Sequence, residues 1–162
     1  MINASTVGGS GAQVRSLAKE VDVAAGPDEV WAAWTSDEGI AKWWGPADSN
    51  IELRIGGPFE ILFSLDAPEG ERGSEGCRIL SYVPGESLSF TWNAPPHLPL
   101  RSVNTWVVLT FTASAAGTDV RLVHTGFLEG SDWDDYMAYF DNAWGYVLGL
   151  LRDHWSGAKS GD

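Results

Sequence analysis

Apolar residues recur along this chain with two periods, and the longest regular stretch is the last. From Ser131 to about Trp155, Tyr136, Phe140, Trp144, Val147, Leu151 and Trp155 stand three or four residues apart. Asp134, Ala138, Asp141, Asn142, Arg152 and Asp153 fall on the opposite side. That is the pattern of one amphipathic helix with a single face built to be covered. Ser131 is placed to cap it. Asp132, Asp134 and Asp135 sit at the positive end of its dipole, Arg152 and His154 near the negative end, and Gly157 supplies a stop. At ~1.5 Å per residue the helix runs roughly 35–40 Å, longer than any one strand beneath it, so a sheet that covers it has to curl.

Ahead of it the period is mostly two. Val14 to Ala24 reads as a strand, with Leu17, Val21 and Val23 among polar neighbours. Gly26-Pro27-Asp28 breaks it and opens a short helix through Val30, Trp31 and Trp34, with Pro27 suited to the first helical position. Thr35 to Glu38 starts a second helix through Ile40 to Trp43-Trp44, ended by Gly45-Pro46. A meander follows: Ile51 to Ile55, Phe59 to Leu65, Gly76 to Val83, Ser87 to Trp92, Asn104 to Ala113 and a last strand after Gly117. Ala67 to Gly73 is a polar loop, and Asn93 to Arg101, with three prolines, is a long one. The order predicts an α+β fold: one strand, two short helices, about six antiparallel strands and one long helix. Residues 1–12 and 158–162 lack any period and are expected to be tails around a single domain spanning 13–157.

Composition narrows the function. With 162 residues and 44% apolar, the chain supports one core. A net charge of -12 and no Lys/Arg cluster oppose binding to nucleic acid or to an anionic membrane. Cys77 is the only cysteine, so no intrachain disulfide forms. The chain has neither an apolar run of transmembrane length nor the profile of a secretory leader. A soluble cytoplasmic protein is the expectation. Nine tryptophans suit either a thick core or an aromatic-lined ligand cavity.

A curled sheet facing a long helix is expected to leave a pocket lined by its inward residues. The ligand-binding candidates are Phe59, Ile61, Phe63, Ile79, Phe90, Trp92, Val107, Leu109, Leu122, His124, Tyr136 and Phe140. His124 shares a face with Val120 and Leu122, so its ring points toward the helix, where desolvation favours the neutral form. It reads either as a buried histidine tied to a helix-side hydroxyl or a backbone carbonyl, or as a group that orients or exchanges a proton with a bound carbonyl or phenol. His97 in its Pro-rich loop and His154 in the last helical turn read as solvated or dipole-related. Cys77 reads as a small buried residue. The three aspartates of the first helical turn are explained by the dipole, and no metal-spaced cluster or phosphate loop accompanies them, so no metal or cofactor is expected. Ala138, Gly145 and Gly149 lie on the outward side of the long helix, where a second copy could approach.

Several stretches together carry a family resemblance: Val21 to Pro46, the hairpin Arg54 to Phe63, Tyr82 to Trp92, Val107 to Phe127, and Asn142 to Trp155. The more specific pieces are Trp43-Trp44-Gly45-Pro46, the strand Leu88-x-Phe90-Thr91-Trp92, and His124-x-Gly126-Phe127 just before the helix. In this order and spacing they resemble the SRPBCC superfamily, the START-like or helix-grip proteins, and within it the homologues of the activator of the heat-shock-protein-90 ATPase. Ala143 departs from the glycine that relatives commonly carry before Trp144. The resemblance implies a curved antiparallel sheet gripping the C-terminal helix, with a cavity that in many relatives holds an apolar or aromatic small molecule. One scaffold hosts many activities, so three readings stay open. The first is a small-molecule binding protein without turnover. The second is a polyketide cyclase- or aromatase-like enzyme using His124 with Tyr82 or Tyr136. The third is a co-chaperone-like ATPase activator.

Overall fold

Alternation becomes pairing in the second half of the chain. The computed structural model describes residues 14–156; the expected tails and the Gly157 stop lie outside those residues. Its elements are β1 (Arg15–Val23), α1 (Pro27–Trp34), α2 (Asp37–Trp43), β2 (Asp48–Ile51), β3 (Phe59–Leu62), β4 (Ile79–Val83), β5 (Ser87–Trp92), β6 (Thr105–Ser114), β7 (Gly117–Phe127) and α3 (Ser131–Trp155). Five strands form one antiparallel sheet in the order β1-β7-β6-β5-β4. Phe90 lies opposite Val107, Val107 opposite His124, and Leu109 between Leu88 and Leu122, so each inward residue of one strand meets an inward residue of the next.

The β2–β3 pair continues the curl past β4. Isolated bridges join Pro58 to Arg78 and Leu62 to Gly73, and Phe59 N–H donates to the Cys77 carbonyl at 2.8 Å. A register shift between Ile79 and Ser81 bends this edge further.

Two strands end earlier than the alternation suggests. Ile51 closes β2, and the next residues turn through Arg54 N–H to Glu52 O and Gly57 N–H to Arg54 O, which leaves Ile55 64% exposed. β2 also begins earlier, at Asp48, because the Asp37 carboxylate accepts both Ser49 Oγ–H and Ile51 N–H and ties the strand to α2. After Leu62, Phe63 N–H and Ser64 N–H both reach the Arg72 carbonyl, so the chain leaves the ladder and Phe63 is 51% exposed. Likewise β4 starts at Ile79 rather than Gly76.

The last helix covers the concave face. Tyr136, Phe140, Trp144, Val147 and Leu151 are buried and Trp155 half-buried, as their spacing requires. Trp133 and Leu148 join them, with the Trp133 ring stacked on Tyr136 at 5.6 Å. The cap differs from expectation: Gly130 holds that position at φ 131°, and Ser131 is already the first helical residue. An L side chain rarely adopts that φ, so the helix enters through glycine and no side chain caps it. Arg15 and Lys19 of β1 reach Asp134 and Asp141 of α3 at 2.8 and 3.0 Å. Both pairs are solvent-accessible, so they guide the placement of the helix more than they stabilise it.

Candidate functional site

Near the start of α3 the space between sheet and helix is filled, and its polar groups satisfy one another. His124 is fully buried. The Trp144 indole N–H can only donate, so His124 Nδ1, 2.9 Å away, must accept, and the ring proton sits on Nε2. Nε2–H then donates to Thr105 Oγ1 at 2.6 Å. The Thr105 hydroxyl donates to the Trp92 carbonyl at 3.1 Å, and Tyr136 O–H donates to Thr105 Oγ1 at 3.1 Å. The partners are thus a sheet hydroxyl and a helix indole, where a helix-side hydroxyl or a backbone carbonyl was expected. Burial pushes the His124 pKa down from 6.5 to about 3, and burial foremost raises Tyr136 to about 12. Both ring nitrogens are occupied in a neutral ring, which leaves no free lone pair to take a proton from a ligand.

The core around this network is tight. Phe59 and Phe90 stack at 3.9 Å, and Phe127 and Phe140 pack on the His124 ring at 4.5 and 5.0 Å. Phe59, Ile61, Ile79, Phe90, Val107, Leu109, Leu122, His124 and Tyr136 are all buried here. None of these nine candidates lines the molecule's large cavity.

That cavity, about 530 Å³, opens farther along α3. The helix supplies Tyr139, Phe140, Ala143, Trp144, Tyr146, Val147 and Leu150; the α2–β2 connection supplies Trp44 to Ala47; β5 and its exit supply Trp92 to Pro96. Phe63, Ser64, the segment Glu71 to Ser74, and Arg101 complete the rim. Phe63, Trp92 and Phe140 are therefore the three sequence candidates that reach it. Trp44, Trp92 and Trp144 stand 5.3–6.1 Å apart and make one rigid aromatic wall.

The loops around the opening are braced. Glu75 accepts backbone N–H groups from Gly70, Arg72 and Gly73 at 2.6, 2.9 and 2.8 Å. Arg101 donates from Nε to the Gly70 carbonyl at 3.0 Å, from Nη2 to the Gly73 carbonyl at 2.8 Å, and from Nη1 to the Ala94 carbonyl. At Gly73 any Cβ would collide with the Ile61 carbonyl, so only glycine lets this wall lie against β3. Such a cavity is pre-formed rather than opened by its occupant.

Three lining features escaped the sequence reading, and two of them had a signal. Tyr139, Ala143, Tyr146 and Leu150 form a second apolar stripe beside the first, wider than a packed core needs. Trp43 and Trp44 are adjacent on a helix and so diverge by about 100°. One is buried with its Nε1–H on the Ala33 carbonyl at 2.8 Å, while the other faces the cavity. Arg72 and Arg101 lie in aperiodic loops and gave none.

The remaining candidates play no part in this opening. Cys77 is buried, and burial above all raises its thiol to about 12, far from a reactive thiolate. The His97 ring lies 5.8 Å from Tyr139, and His154 packs edge-on to Trp155 at 4.6 Å. Among the described residues no group of three or more His, Cys, Asp or Glu is arranged to hold a metal ion.

A curved antiparallel sheet closed over one long terminal helix is the helix-grip fold of the SRPBCC superfamily. Residues 24–155 match the family described as "Activator of Hsp90 ATPase homolog 1-like protein", and the chain belongs to that family. No curated protein matches the sequence. Among solved structures, a Mesorhizobium loti protein is 23% identical with a TM-score of 0.68, covering 86% of this chain and 96% of its own. The Aha1 dimer from Colwellia psychrerythraea is 20% identical with a TM-score of 0.66, covering 90% and 98%. A Bacillus halodurans protein is 22% identical with a TM-score of 0.65, covering 88% and 97%. At these identities the likeness is one of fold.

Proposed function

We propose that this protein binds a small apolar or aromatic molecule in the cavity beside α3 and does not transform it. The observation that carries the reading is the cavity itself, about 530 Å³ and walled by Trp44, Trp92, Trp144 and Phe140. Its size and mostly apolar lining match those of ordinary small-ligand sites. The cyclase-like reading has less support, because its acid/base candidates lie elsewhere: His124 and Tyr136 bond within the core, and Tyr82 packs toward Trp31 at 6.2 Å. A co-chaperone role rests on the family description alone. Two further parts of the proposal are a cytoplasmic setting, which suits the lone buried Cys77, and a homodimer, the state in which the Colwellia relative was solved.

The test is titration with N-phenyl-1-naphthylamine, a neutral fluorophore that brightens in apolar surroundings. Saturable brightening is expected, and it should vanish in Ala143→Trp, whose indole would fill the cavity from the helix side. No brightening in the wild type, or equal brightening in the variant, would refute the reading.

A further inference from the structure

Acidic side chains outnumber basic ones in this chain, 22 to 10, and six of the described cations pair with a carboxylate. Arg72 lines the cavity and does not. The rest of this residue is tethered. Its backbone N–H donates to Glu75 Oε1 at 2.9 Å, its carbonyl accepts from Phe63 and Ser64 N–H at 2.7 and 3.2 Å, and its Nε–H donates to the Ala67 carbonyl at 2.8 Å. Only the two terminal nitrogens, with four N–H donors between them, have no partner among the described residues. Arg101 on the same rim is differently placed, because its guanidinium is taken up by the Gly70, Gly73 and Ala94 carbonyls.

A half-buried arginine with unpartnered terminal nitrogens, in the lining of a cavity that also has an aromatic wall, is matched to a planar anion that accepts two parallel hydrogen bonds. We propose that the cavity takes a ligand with an aromatic body and a carboxylate head, the head held by the terminal nitrogens of Arg72. This rests on the cavity being a ligand site, as proposed above. The net charge of -12 is no obstacle. Exposed charges are largely screened beyond ~8 Å at physiological salt, so the nearest guanidinium dominates a small monoanion as it does not dominate a polyanion. Glu71 lies exposed on the same rim, and the Glu75 carboxylate is already engaged by backbone N–H groups and by Arg101.

Calorimetric titration with 2-naphthoate and its neutral isostere 2-naphthamide tests the assignment. The wild type should bind the acid roughly tenfold or more tightly than the amide, the scale of a hydrogen bond to a charged group. Arg72→Gln should remove that preference while the amide binds as before, and Arg72→Lys, which keeps the charge and loses the fork, should retain part of it. Equal affinities in the wild type, or a preference that survives Arg72→Gln, would overturn the carboxylate assignment and leave the cavity reading standing. An equal loss for both ligands in Arg72→Gln would mark Arg72 as a loop brace and overturn it too. If neither compound binds the wild type, the cavity reading falls with it.

Discussion

Two faces of α3 differ in what lies against them. Toward its start the helix meets strands, whose alternation delivers a regular array of inward side chains. There Tyr136 and Trp144 close a hydrogen-bonded chain with His124 and Thr105, and the space is filled. Along its middle, on the side of Tyr139, Ala143, Tyr146 and Leu150, the helix meets loops: β3 has stopped at Leu62, β5 at Trp92, and the next chain segment carries three prolines. Loops do not present side chains at a fixed spacing, so they leave room, and Arg101 and Glu75 keep that room from collapsing. Strand against helix gives core, and braced loop against helix gives cavity. Trp144 belongs to both regions, its N–H in the sealed network and its ring on the cavity wall.

The largest contrast should come from aromatic truncation. Phe90→Ala in the sealed half should cost about 3–5 kcal/mol in urea unfolding, because the surrounding core cannot relax into the hole. Trp44→Ala, beside space that is already open, should cost clearly less and weaken ligand binding instead. Equal losses would erase the distinction between the two regions.

The next effect is in pH. The folded pKa of His124 lies near 3, below its ordinary 6.5, so the unfolded chain takes up a proton that the native one refuses. This residue's share of the stability is therefore complete above about pH 6.5 and is lost as pH falls toward 3, by roughly 2 kcal/mol between pH 7 and pH 5. His124→Gln should be less stable at pH 7, since Trp144 and Thr105 lose partners, and its stability should fall less steeply between the two pH values. A variant that tracks the wild type across that interval would contradict the buried neutral ring.

The smallest effect on stability, within about 1 kcal/mol, is expected for Ala143→Trp, since the added ring enters open space rather than packed core. The same substitution should abolish ligand binding. A loss of several kcal/mol would mean that the cavity is tighter than its shape indicates.

Fold and site were unequally legible from the chain. Leu88, Phe90 and Trp92, or Val107, Leu109 and Phe111, announce a half-buried strand because period two has no other use there, and the helix stripe from Tyr136 to Leu151 does the same at three and four. These patterns report what is covered, and nine of the twelve candidates drawn from them were accordingly core residues that do not reach the cavity. The cavity is made where the pattern stops, at Phe63, at Glu71 to Ser74 and at Asn93 to Arg101. There the positions depend on hydrogen bonds from Arg101 and Glu75 to backbone groups distant in sequence. Leu53 and Ile55 failed for a related reason: their alternation continues across a turn that Gly56 and Gly57 permit.

A crystal structure of the protein after diffusion of 2-naphthol bears most directly on the idea that one end of the grip is sealed and the other holds a guest. Continuous density for the ring system is expected against the wall of Trp44, Trp92 and Trp144, beside Ala143, with the loop braced by Arg101 unmoved. A site filled by Tyr139 or Tyr146 folded inward, or density for the guest anywhere but there, would contradict it.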